Sequence, residues 1–231
     1  PDGSYSVQLT GLVNVSGGSR SGAQLAGLVN TQAGNLSGAQ LAGLVNTSGG
    51  RMQGLQLATV GNVAGGEVSG LQFAGLFNAA QRFEGAQVAL FNNGGGRGAQ
   101  IGAVNVARTL LGTQIGLVNV AQHLDGEAVG VLSFIGNGYH AWELLSDDVS
   151  PVAMSFKLGS RRLYSVWQLG FDPTERWRIA LEIAIALATR PPCVCASAGA
   201  CADVGEVAQP VSHAPSAEAR PRMIVLRSAE A

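Results

Sequence analysis

Polar and apolar positions along the first 134 residues recur in one phrase. Residues 22–50 read GAQLAGLVNTQAGNLSGAQLAGLVNTSGG, in which GAQLAGLVN is spelled twice. A Gln column runs through Gln8, Gln24, Gln40, Gln56, Gln72, Gln87, Gln100 and Gln114, and an Asn column through Asn14, Asn30, Asn46, Asn62, Asn78, Asn92, Asn105 and Asn119. The step is sixteen residues at first, then thirteen to fifteen, and a decayed ninth copy puts Ala128 and Ser133 in these columns. A Gly precedes the Gln column by two residues from Gly22 to Gly126. Three apolar columns accompany the phrase. One follows the Gln (Leu25, Leu41, Leu57, Phe73), one lies two before the Asn (Leu28, Leu44, Leu76), and one lies two before the Gly (Leu36, Met52, Val68, Phe83).

Each copy carries several Gly, each costing roughly 1 kcal/mol against Ala inside a helix, so the unit is strand and turn. Late copies such as QIGLVN at 114–119 lack one residue between Gln and Asn. Within a continuous strand that loss would turn every later side chain to the opposite face, so the missing residue belongs to a corner near Ala26 and Gly27. In an up-and-down meander equivalent residues of successive copies do not stack. Near-identical tandem copies predict instead an all-β fold built on a parallel β-solenoid of about nine short coils, on the order of 40 Å long at the strand spacing.

The Gln and Asn columns, Gln24, Gln40, Gln56 and Gln72 with Asn30, Asn46, Asn62 and Asn78, are expected to form amide ladders, each amide bonded to its copy above and below. The columns of Leu25, Leu41 and Leu57 and of Leu28, Leu44 and Leu76 are expected to face inward, each rung worth about 1.5–3 kcal/mol of burial. On that reading Leu41→Asp unfolds the array and Arg51→Ala does little.

After residue 134 the pattern changes. Tyr139 to Leu145, Val152 to Leu158, Arg162 to Phe171 and the alternating run from Ile179 to Leu187 read as strands, giving a small antiparallel β cap over 135–190. The same alternation fits the first strands of an outer-membrane barrel. Residues 191–231 crowd Pro, Ala and Ser without a period and read as a disordered tail.

With 33 Gly in 231 residues, 13% charged residues and a net charge of −1, the chain offers no electrostatic case for nucleic acid. The longest apolar stretch, Ile179 to Ala188, contains Glu182 and is too short for a membrane helix. Catalytic constellations are scarce. His123 is expected in a turn between coils, His140 at the cap and His213 in the tail, and none has a nucleophile beside it. Asp147 and Asp148 are expected in a solvated turn, and even on a strand such neighbours would point to opposite faces rather than pair. Cys193, Cys195 and Cys201 do not have a zinc spacing. No catalytic residue, metal or cofactor is expected.

The tandem G-x-Q-[IL]-G-L-[VI]-N phrase, followed by GVLSFIGNGYHAWELLSDDV and SFKLGSRRLYSVWQLGFDP, resembles a family of bacterial surface-repeat proteins over residues 6 to 187. The resemblance implies a cell-envelope setting, surface-exposed or secreted, and brings no catalytic residue with it. The expectation is a non-catalytic structural or adhesive surface module with an envelope or extracellular partner. An appendage of an outer-membrane β-barrel is the alternative. Ice binding would need outward Thr ladders, whereas Thr31, Thr47 and Thr113 are scattered. Because the copies begin at Val7 and Gln8, self-association through the N-terminal solenoid edge is also expected, weakened by Leu9→Pro.

Overall fold

A computed structural model describes residues 5–146, 152–172, 176–185 and 226–228. The first copies each contribute a longer and a shorter strand: β1 (Tyr5–Thr10) with β2 (Val13–Ser16), β3 (Arg20–Ala26) with β4 (Val29–Gln32), and β5 (Leu36–Ala42) with β6 (Val45–Ser48). After β7 (Met52–Ala58), the strands β8 (Gly61–Ala74), β9 (Phe77–Val88) and β10 (Phe91–Ile101) run on through one corner of the coil, and β11 (Val104–Ile135) runs on through both. All pairing in the array is parallel and sets like upon like in the Gln and Asn columns, with register shifts only at the charged corner of the later coils, between Ala64 and Glu67 and after Asn93. Gln8 stands on Gln24, Gln40 on Gln56 and Gln100 on Gln114, and the Asn column stacks the same way.

The fold is thus a parallel β-solenoid. It makes about seven turns, slightly fewer than the nine coils expected. The Gln ladder runs only from Gln8 to Gln114, and its eight rungs enclose seven steps. The decayed last copy still stacks, with Asn119 Nδ2 donating to Ser133 Oγ at 3.3 Å. The shortened copies keep their facing because the lost residue is the corner residue at the level of Gly27. Gln87, Ala89 and Asn92 are buried in a late copy as Gln24, Ala26 and Asn30 are in an early one.

Glycine is required at the Gly22 column. Gly70 has φ +136°, and a Cβ there would lie 2.0 Å from the carbonyl oxygen of Gly54 in the coil below. No side chain fits where one backbone sits directly over another.

The interior has two halves. One is aliphatic and aromatic, with Leu36, Met52, Val68, Phe83 and Leu110 stacked into a single cluster. The other is the paired amide columns, each Gln from Gln24 to Gln114 and each Asn from Asn30 to Asn119 at or within 1% of full burial.

Here the structure overturns an expectation. The columns of Leu25, Leu41 and Leu57 and of Leu28, Leu44 and Leu76 do form ladders, but on the outside. Leu28 is 39% exposed, Leu44 42% and Leu76 49%. Strand alternation is the reason: a buried Gln24 turns its neighbour Leu25 outward, and Leu28 lies at the corner itself. Leu41→Asp therefore removes no core side chain.

Beyond β11, an antiparallel meander follows: β12 (Tyr139–Leu145), β13 (Val152–Gly159), β14 (Leu163–Asp172) and β15 (Arg176–Ile185). The expected strands are present with ends moved by at most three residues. A short strand, β16 (Leu226–Ser228), pairs with β12 at Trp142–Leu144. These three residues fall in the segment expected to lack structure. The free edge of β12 supplies the unpaired donors and acceptors that order them. His123, expected in a turn, lies in β11.

Candidate contact surface

The interior amides come first, because they determine what is left outside. In the Gln ladder each side chain donates toward the N-terminal coil: Gln40 Nε2 to Gln24 Oε1 at 2.8 Å, Gln56 to Gln40 at 2.7 Å, Gln72 to Gln56 at 2.7 Å. The Asn ladder runs the other way, Asn30 Nδ2 to Asn46 Oδ1 and Asn46 to Asn62, both at 2.9 Å. Opposed directions let the two columns' aligned amide dipoles offset each other.

Asn has a second task. Asn30 Nδ2 reaches the carbonyl of Leu41 at 2.7 Å, and Asn46 that of Leu57 at 2.7 Å. Those carbonyls lie at the corner, where the chain leaves one strand for the next, so a short amide completes what the ladder cannot. The Gln ladder ends where Ala128 replaces Gln, and Gln114 Oε1 is left buried without a donor.

With Gln and Asn inside, four columns face out around that corner. They are the rungs of Leu25, of Leu28, of Val29 (Val45, Phe77, Phe91, Val104) and of Thr31 (Val15, Val63, Val106). The last two were not singled out in the sequence, although the residue before each Asn, most often Val, must oppose its buried neighbour. No position in the four columns is charged from the first copy to the ninth. Exposed rungs include Leu57, Val63, Phe73, Leu90, Phe91 and Leu117, the last at 61%. A contiguous apolar surface of this length exceeds what soluble monomers ordinarily leave open.

The array's charges collect at the opposite corner and the strand starts beside it. Arg51 meets Glu67 at 3.8 Å, Glu67 stacks on Arg82, and Glu84 on Arg97. From Arg51 onward the coils are thus apolar at one corner and charged at the other, while residues 21–50 carry no charge at either.

The meander repeats the inversion. Trp142, Phe156 and Trp167 stand opposite one another across β12, β13 and β14, as do Leu144, Met154 and Leu169. Trp142, Leu144, Met154, Phe156 and Leu169 are all exposed. The reverse face holds the buried Ala153 and Ser155 and the ion pair of Lys157 Nζ with Glu143 at 2.8 Å, whose side chains are 14% and 13% exposed. Trp167, on the apolar face, donates its Nε1–H to the carbonyl of Val131, a rung of the Leu28 column, at 3.3 Å. The two outward surfaces therefore meet. On the other side Ser160 Oγ donates to Glu127 at 2.5 Å.

An opening of about 290 Å³ lies beside the corner, lined by Leu9, Thr10, Leu25, Ala26, Gly27, Leu41, Ala42 and Leu57. Thr10 brings its only polar side chain, too little to orient a small polar ligand. His123 and His140 are exposed and lie on different strands. Among the described residues no three His, Cys, Asp or Glu side chains gather to hold a metal. Asp147, Asp148, Cys193, Cys195, Cys201 and His213 lie outside the described residues.

No protein family, curated protein or solved structure matches the chain.

Proposed function

We propose that the chain is a non-catalytic structural module of the bacterial cell surface and that its working surface is the uncharged outer flank of the solenoid. The observation that carries this reading is the set of four outward ladders, kept free of charge while the array's charges collect at the other corner. A regular surface repeated along the whole rod suits an extended partner, such as an envelope layer or a polymer, better than a small molecule. The resemblance of residues 6–187 to bacterial surface-repeat proteins supports an envelope setting. Ice binding has little support, since Thr31 and Thr47 pair their hydroxyls over a single step at 3.1 Å and Val63 follows them.

The test is retention. In a producing cell, the full chain is expected in the envelope fraction, and the triple variant Leu28→Ser, Leu44→Ser, Leu76→Ser in the soluble fraction with its circular dichroism unchanged. Envelope retention of the folded variant, or recovery of the parent chain in the soluble fraction, contradicts the reading.

A second reading rests on the meander, whose strands of seven to ten residues turn apolar side chains out and an ion pair in. That is the pattern of an outer-membrane barrel wall. Such barrels close with eight or more strands, so other segments or other copies would have to supply the rest. Heat-dependent migration of the envelope-extracted chain in a denaturing gel would support it; migration independent of heating would count against it.

A further inference from the structure

We infer that lipid acyl chains cover the solenoid's outer flank, so that the rod lies along a bilayer with its charged corner in water. The inference rests on the surface-module reading and names its partner. Three observations favour lipid over protein.

The first is charge. The flank is uncharged, while Arg51, Glu67 and Arg82 occupy the opposite corner. That division across the coil matches a low-dielectric medium on one side and water on the other.

The second is hydrogen bonding. From the strand spacing and rise the flank measures about 40 Å by 20 Å, on the order of 800 Å², as large as one side of a standard protein interface. An interface of that size forms about one hydrogen bond per 100–200 Å². The four ladders contribute only Thr31, Thr47 and Asn93 as polar side chains, and the two threonines already bond each other. The backbone groups beneath are used in the parallel ladders and by the Asn amides, as hydrocarbon requires.

The third is continuity. Trp167 joins the flank at Val131, and beyond it the meander's outward Phe156 and Leu169 extend the same apolar surface onto a second element. One bilayer covers both, whereas a single protein partner would have to follow a repeat array and an unrelated sheet.

The experiment uses the full chain with vesicles of pure zwitterionic phosphatidylcholine, in flotation, at 0.1 and 0.5 M salt. The chain should float with the vesicles at both salt concentrations, because no electrostatic attraction is involved. The variant Leu28→Asp, Leu44→Asp, Leu76→Asp should bind about tenfold more weakly or less, and the opposite-corner variant Arg51→Ser, Arg82→Ser should bind as the parent does. Should the aspartate variant not fold, brominated acyl chains read the parent directly: they should quench its tryptophan fluorescence. Failure to float, flotation unaffected by the folded aspartate variant, absence of quenching, or a defined dimer in place of vesicle binding would overturn the inference. Envelope retention without vesicle binding would overturn the lipid partner alone and leave the surface-module reading standing.

Discussion

The amide half of the solenoid and the meander both turn polar groups inward and apolar groups outward, with different chemistry. In the solenoid the buried polar groups are neutral amides, Gln on Gln and Asn on Asn, each donating to one neighbour and accepting from the other. In the meander, among the described residues, they are the ion pair of Lys157 with Glu143 and the Ser155 buried on the same face. An amide carries donor and acceptor together, so its ladder extends by any number of rungs without accumulating charge. An ion pair satisfies two residues and stops. The comparison teaches why the array repeats: a polar interior that is both neutral and extendable needs the same residue at the same place in each coil.

The ways to break this arrangement fall in order of expected size. Gly70→Ala should cost the most, above about 4 kcal/mol, because the new Cβ would lie 2.0 Å from the Gly54 carbonyl oxygen and neither backbone can move without opening its coil. Thermal unfolding followed by circular dichroism checks it, and a loss below 1 kcal/mol would remove the close-stacking argument.

Next comes Gln56→Ala, which orphans Gln40 Oε1 and Gln72 Nε2, about 2–5 kcal/mol for two buried groups. Its sharper counterpart is Gln114→Ala. That change orphans Gln100 Oε1 but removes an oxygen already without a donor, so urea titration should find it milder than Gln56→Ala by about 1–3 kcal/mol. In the meander, Lys157→Ala leaves Glu143 largely buried and unpaired, costing about 3 kcal/mol. Hydrogen exchange should place that loss in β12–β14 and leave the amide ladder protected.

Smallest are the outward changes. Leu41→Asp should cost less than about 1.5 kcal/mol in the folding of the chain and Arg51→Ala within 0.5 kcal/mol. Unfolding of the array by Leu41→Asp would restore the inward placement that the exposure of its column contradicts.

Much of this was legible in the residues. Near-identity of successive copies predicted parallel stacking. The one-residue loss between Gln114 and Asn119 placed a corner. The strand-like runs Tyr139–Leu145 and Val152–Leu158, with the alternation from Ile179 to Leu187, predicted the meander. What misled was hydrophobicity taken as a proxy for burial. Leu25 and Leu28 were assigned to the interior because Leu is usually buried, although Gln24 and Asn30, read as a bonded ladder, already claimed the inward positions that strand alternation then denied to Leu25. The out-facing columns of Val29 and Thr31 went unread for the same reason, and with them the contact surface. The aliphatic half was readable in the least regular column, that of Leu36, Met52 and Phe83, whose variation in size and shape reflects packing against one another rather than repetition.

The central claim is that amides, not leucines, fill half of the solenoid interior, and side-chain amide hydrogen exchange tests it most directly. In the folded chain the Nε2 protons of Gln56 and the Nδ2 protons of Asn62 should exchange as slowly as the backbone amides of β7 and β8, because each is fully buried and bonded to the next coil. Exchange of both at the rate of a free amide, while the backbone of those strands stays protected, would contradict the account.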